Sequence, residues 1–174
     1  MTRREFVKRI AHDKKDMLAD FIGILKKMKI KFCVIGGLAV NAYAEPVVSL
    51  DLDIIIVVER LKDLLGAVKK SYTVKTFANS INIFSPRSDL RVQIQTDPRY
   101  QEFIPRAVRA DVLGYKIPVA SIEDVLRGKI WAAIDKTRRM SKRQKDIADI
   151  LRLLESKSSL MALVPEELKA RLSL

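Results

Sequence analysis

At 174 residues the chain is long enough for one domain with a proper core and short for two. A hydrophobic fraction of 48% excludes a disordered chain, and a single cysteine, Cys33, excludes a disulfide framework or a Cys-based metal site. The formal net charge of +12 and a pI near 9.9 favour polyanionic partners: RNA, DNA or nucleotide phosphates.

In chain order, residues 2–29 predict helix with a break near His12-Asp13. Leu18, Phe21, Ile22, Leu25 and Met28 form one buried stripe, and Lys14, Lys15, Lys26, Lys27 and Lys29 a solvated face or part of a nucleic-acid track. His12 has no metal-type partner nearby in sequence and reads as a surface residue. Phe32-Cys33-Val34-Ile35 is a short apolar strand in which Cys33 is an inert buried thiol. Gly36-Gly37 follows, then a short helix from Leu38 to Ala44, closed by Glu45-Pro46. A second strand opens on Asp51-Leu52-Asp53 and runs to about Val58. Its apolar run, DIIIVVE, is bounded by charges and is far too short to cross a bilayer. The N-terminal residues are too charged for a signal peptide, so a cytoplasmic protein without membrane association is expected.

Further along, residues 60–70 predict a helix, 72–77 and 80–84 strands joined by a turn at Asn79-Ser80, and Leu90 to Thr96 another strand. Residues 98–105 start at Pro98 as a short helix or loop. Strands near 107–112 and 115–119 meet at a tight turn, Leu113-Gly114. Ser121 caps a helix with Asp124 three residues on, and Ser141 with Gln144 suggests a second capping box. Val125, Ile130, Trp131 and Ile134 supply the apolar surface of the first of these helices, with Trp131 a core residue rather than a base-stacking platform. Ile147, Ile150, Leu151 and Leu154 form the stripe of the second. A last helix spans 165–172, with Pro165 in its first turn.

Two features carry chemistry. Side chains alternate along a strand, so Asp51 and Asp53 share a face, roughly 7 Å apart, while Leu52, Ile54 and Ile56 face the core. Two ionised carboxylates so placed repel each other, and a hard cation such as magnesium, bound with phosphate oxygens, removes the conflict. Glycines between a strand and a helix let the backbone approach a phosphate and present unhindered N–H groups. By themselves, the carboxylates could equally be solvated at a sheet edge and the glycines a plain turn. Their combination, a glycine pair, a spacer of about a dozen residues and S-x-D-x-D, resembles the signature of the nucleotidyltransferase superfamily with the DNA polymerase β-type fold. The nearest group is that of the AbiEii toxins and related minimal nucleotidyltransferases.

The resemblance implies an α/β (α+β) fold: a small mixed β-sheet flanked by helices, with a C-terminal helical hairpin. It would form one domain over 1–174, with its core at about 30–120 and its C-terminal helices at about 121–172. It implies that Gly36, Gly37 and Ser49 hold a nucleoside triphosphate, and that Asp51 and Asp53 are catalytic and bind two magnesium ions, or manganese in their place. The C-terminal segment is similar to that group's helical tail, with Lys129 and Lys145-Asp146-Ile147-Ala148-Asp149 at its motif positions. Lys129 is thereby implied at the triphosphate, with Asp146 and Asp149 orienting basic side chains. Arg138, Arg139, Lys142 and Arg143 lie in the densest basic stretch of the chain, either a solvated hairpin face or a nucleic-acid surface.

The chain departs from the family pattern at Gln93, where a third carboxylate is expected on the neighbouring strand. An amide offers a neutral oxygen and no charge. Asp97 shares a face with Arg91, Gln93 and Gln95 by alternation, but would need a bulge or register shift to replace it. Val47-Val48 stand where many relatives carry an arginine. Two readings therefore stand. One is transfer of a nucleoside monophosphate from an NTP to an RNA (tRNA included) or protein hydroxyl. The other is a catalytically impaired nucleotide- or RNA-binding module, or a toxin–antitoxin partner protein, on the same fold.

Overall fold

The computed structural model describes residues 5, 9, 11–13, 16–112 and 114–172. At its centre is β1 (Phe32–Ile35), whose four side chains are all buried, as a strand covered on both faces requires. It runs antiparallel to β2 (Asp51–Ile56), with Phe32 opposite Ile56 and Ile35 opposite Asp53. Beyond β2, and parallel to it, lies β5 (Ser88–Gln95), followed by the antiparallel strands β4 (Ser80–Ser85) and β3 (Thr73–Phe77). On the other side of β1 lie β7 (Tyr115–Val119), parallel to it, and β6 (Val108–Val112). The described strands thus form one mixed sheet in the order β3-β4-β5-β2-β1-β7-β6. Gly114 turns the β6–β7 hairpin at φ +86°, its N–H donating to Asp111 Oδ1; Leu113, the other predicted turn residue, lies outside the described residues.

The N-terminal helical stretch breaks near His12-Asp13, as the sequence predicts. Residues 11–13 turn, Asp13 accepts the Met17 N–H, and α1 (Met17–Lys27) begins behind an Asp16 cap that accepts from Ala19 N–H. Its stripe of Leu18, Phe21, Ile22 and Leu25 is buried; full burial of each such side chain contributes about 1.5–3 kcal/mol. Lys14 and Lys15 lie outside the described residues. His12 is on the surface, as expected, with Nδ1 2.6 Å from Asp89 Oδ2. Burial pushes the Cys33 thiol up to about 12, the inert state expected of it.

After β1 the chain enters α2 (Gly36–Val40), which ends before the predicted Ala44. Then come α3 (Leu61–Val68) and a tight 3-10 segment, Pro98–Arg106, that lies against β1 and β2. The C-terminal hairpin is α4 (Ile122–Ile134) and α5 (Met140–Ser156), with α6 (Glu166–Leu172) closing the described chain. Ser121 caps α4 as predicted, accepting the Asp124 N–H at 3.2 Å. The second capping box does not form: α5 starts one residue before Ser141, behind Arg139, with no side-chain cap. The hairpin packs on α2, which brings the basic helices to the end of the sheet where the Gly-Gly turn and Asp51/Asp53 lie.

Candidate active site

The chain reverses at Gly36, where φ is +68°, a conformation that suits glycine. Because Ile35 pairs with Asp53 in the β1–β2 ladder, the turn lies directly over the Asp53 side chain. A β-carbon on Gly36 would stand 2.1 Å from Asp53 Oδ2, so only glycine leaves room for the carboxylate. At Gly37 a β-carbon would meet Ser49 Oγ at 3.8 Å, which places the Ser49 hydroxyl beside the second glycine. The loop carrying Ser49 is clamped by Asn41, whose Nδ2 donates to the Val47 carbonyl and whose Oδ1 accepts the Val47 N–H. Arg152 of α5 reinforces the clamp, donating to Asn41 Oδ1 at 2.8 Å and to the Glu45 carbonyl. Val47 and Val48 are exposed on this loop.

Asp51 and Asp53 alternate with buried neighbours, as predicted, and share the face that β5 extends. The parallel register puts Arg91 opposite Asp51 and Gln93 opposite Asp53. Arg91 Nη2 donates to Asp51 Oδ2 at 2.8 Å. Burial pushes the Asp53 carboxyl up from 3.8 to about 6 against the pull of Lys129; Asp51 adds to the rise, and Arg91 and Arg138 oppose it. A half-buried carboxyl raised toward neutrality, next to a second carboxylate, is what a divalent cation would relieve. Magnesium commonly binds through one or two carboxylates completed by phosphate oxygens, and Asp51 and Asp53 fit one such ion. Among the described residues no group of three His, Cys, Asp or Glu side chains gathers as a metal cluster. Asp97 does not fill the gap. Ladder irregularity in β5 is confined to the Phe84/Ser85 end of its pairing with β4, and Asp97 instead caps the 3-10 segment. Its oxygens are held by Arg99, whose hydrogen bond keeps the carboxyl below its ordinary range.

Between the sheet and α4 lies a polar cavity of about 260 Å³, lined by Gly36, Asp53, Gln93, Asp97, Lys129 and Arg138 among others. Lys129 reaches it from α4 but arrives paired: Nζ lies 2.9 Å from Asp146 Oδ1 and 2.6 Å from Asp149 Oδ2. Burial pulls the ammonium down, yet the two aspartates outweigh it and hold Lys129 above the ordinary lysine value. Asp146 also accepts from Arg138 Nε, and Asp149 from Arg152 Nη1. The K-D-x-x-D segment therefore orients basic side chains, and Arg152 ties the network to the Ser49 loop. Lower in the same wall, buried Asp124 takes a two-bond grip from Arg106 (2.8 and 2.9 Å) and a third bond from Arg127. Trp131 packs against Tyr100 and Phe103 at 5.2 and 5.7 Å between centroids, beneath the Arg99 guanidinium.

The predicted nucleic-acid residues divide. Arg139 and Lys142 are exposed at the start of α5, whereas Arg138 is engaged with Asp146 and Arg143 Nε donates to the Ala133 carbonyl. Arg91, Arg152 and Asn41 escaped the sequence reading. Arg91 showed its face by alternation, but its partner is 40 residues away and emerges only from the strand register. No helix among the described residues is long and apolar enough to cross a membrane.

Solved structures share this architecture. The antibiotic-resistance factor ANT(2'')-Ia superposes with a TM-score of 0.65 at 14% identity, covering 90% of this chain and 91% of that one. The lincosamide antibiotic adenylyltransferase LnuA gives 0.56 at 12%, covering 81% and 98%. An antigenic nucleotidyltransferase-like protein from Paracoccidioides brasiliensis gives 0.53 at 20%, covering 86% and 75%. At these identities the likeness shows a common fold. No curated protein sequence matches the chain. Residues 25–173 match the family described as nucleotidyl transferase AbiEii toxin, type IV toxin–antitoxin system, and the chain belongs to that family.

Proposed function

We propose that the protein transfers a nucleoside monophosphate from a nucleoside triphosphate to a hydroxyl of an RNA, tRNA included, or of a protein, with one magnesium or manganese ion held by Asp51 and Asp53. The observation that carries this is the close approach of Gly36 to Asp53 in the lining of the polar cavity. It puts a glycine turn able to approach phosphate against a carboxylate that needs a cation. When bound, the ion supplies Lewis-acid polarisation of the reacting phosphate and offsets charge on the leaving pyrophosphate. The chain's own part is positioning. The Gly36-Gly37 backbone and Ser49 hydroxyl bind phosphate oxygens, and the Asn41–Arg152 clamp fixes the loop that presents Ser49. Arg99, Lys129 and Arg138 line the cavity together with Asp53, Asp97, Asp124, Asp135 and Asp146, so a polyphosphate there needs the bound cation besides these donors. Arg139 and Lys142, exposed beside the cavity wall on a chain of net charge +12, suit an RNA acceptor.

Gln93 supports a second reading: a nucleotide- or RNA-binding module, or the partner of a second toxin–antitoxin component, that has lost transfer. With an amide opposite Asp53, that position offers no ionised group to take the acceptor proton. Incubation of the purified protein with each α-³²P-labelled NTP, magnesium, and tRNA or the product of an adjacent gene separates the two. Label transferred with release of pyrophosphate, and lost in Asp51→Asn/Asp53→Asn, establishes the enzyme. NTP binding without transfer, with transfer appearing in Gln93→Asp, establishes the impaired module. The cytoplasm, where NTPs and tRNA are abundant, is the compartment this chemistry suits.

A further inference from the structure

The face shared by β2 and β5 carries four side chains in two register pairs: Asp51 with Arg91, and Asp53 with Gln93. Their formal charges are two negative, one positive and one neutral. A two-ion centre for displacement at phosphorus holds its metals about 3.5–4 Å apart, and that density of positive charge needs bridging carboxylates around it. Opposite Asp51 and Asp53, β5 offers no carboxylate and already supplies a cation; its Asp89 lies beyond Arg91 and is engaged by His12. Arg91 lies 2.8 Å from Asp51 Oδ2, with each side chain about a third exposed (31% and 33%). Asp51 takes one Nη and the buried Nε is out of a ligand's reach, so it is the other Nη that this partly exposed side chain can offer. A guanidinium in this position can add a bond to a phosphate oxygen while keeping its carboxylate.

We infer that the site takes a single divalent ion and that Arg91 supplies the positive charge a second ion would otherwise bring, bonding Asp51 and a nucleotide phosphate together. The inference rests on the nucleotide-transfer reading of the site. It makes Arg91 and Gln93 a matched pair: the amide removes the negative charge that would draw in another ion, and the guanidinium occupies one carboxylate that would bridge it.

The test is a count of bound Mn²⁺ by electron paramagnetic resonance in the presence of each non-hydrolysable α,β-methylene nucleoside triphosphate. Wild type should bind one Mn²⁺ per protein–nucleotide complex. Gln93→Asp should still bind one, because Arg91 remains, and Arg91→Gln/Gln93→Asp should bind two. Arg91→Gln alone should keep the count at one and weaken nucleotide binding about tenfold, the loss of one charge-assisted bond. Two ions in wild type, two in Gln93→Asp alone, or one in a double variant that melts like wild type would each overturn the inference and leave nucleotide transfer standing. Failure of wild type to bind any Mn²⁺–nucleotide would instead remove the transfer reading, and this inference with it.

Discussion

Gly36 and Asp53 occupy one space: a β-carbon on the glycine would fall 2.1 Å from the aspartate Oδ2, at a residue whose φ is +68°. Gly36→Ala therefore meets both a clash and a disfavoured backbone. It should destabilise the protein by about 1–3 kcal/mol and displace Asp53. Gly37→Ala meets only an ordinary contact with Ser49 at 3.8 Å and should lose much less. Urea denaturation of the two variants checks the asymmetry.

Asp53 makes stability fall as pH rises. Its carboxyl is pushed up to about 6 in the fold, chiefly by burial, from an ordinary 3.8. Between those values the folded state holds a proton that the unfolded state has lost, so its contribution is full below about pH 4 and gone above about pH 6. The span amounts to about 3 kcal/mol at most. Asp53→Asn should accordingly stabilise the metal-free protein at pH 7.5 by about 1–3 kcal/mol and do nothing at pH 4. Magnesium with NTP should flatten the wild-type profile by favouring the carboxylate. Denaturant melts across pH, with and without magnesium and NTP, read both effects.

Lys129 is the hub of a buried ionic network rather than an unengaged phosphate ligand. Lys129→Met leaves Asp146 and Asp149 short of a partner and should cost about 3 kcal/mol. Adding Asp146→Asn and Asp149→Asn should restore a good part of that stability, because the stranded charges go with them. If the triple variant is no more stable than the single one, the network is not what Lys129 supports.

Arg139 and Lys142 should lower RNA affinity uniformly across sequences when changed to Gln, each reducing the salt slope by about one. Arg138→Gln should act differently. It breaks the bond to Asp146 and should show first as lost stability. Filter binding over about 50–200 mM salt, paired with thermal melts, separates the two classes.

Local chemistry made much of this legible in sequence. The alternation of Asp51 and Asp53 with buried Leu52 and Ile54, the glycine turn, and the Ser121 cap each depend on residues close together in the chain. What sequence left open depended on register and competition. Asp51 meets Arg91 only because β2 and β5 pair in parallel, and Asp97 could not return a carboxylate because it caps the 3-10 segment and binds Arg99. The Ser141 box gave way to a helix that starts one residue earlier, and the predicted break near His12-Asp13 owes its form to the Asp13 and Asp16 carboxylates, which accept the Met17 and Ala19 N–H groups. The motif implies Lys129 at a triphosphate, but its grip on Asp146 and Asp149 depends on the packed hairpin.

Asp51, Asp53 and the Gly-Gly turn are proposed to form a metal-dependent nucleotide site. Calorimetric titration of each NTP, with and without magnesium, into wild type and Asp51→Asn/Asp53→Asn tests it most directly. Binding should require magnesium and be abolished in the double variant. Binding that ignores magnesium and survives both substitutions, or no NTP binding by wild type, would contradict it.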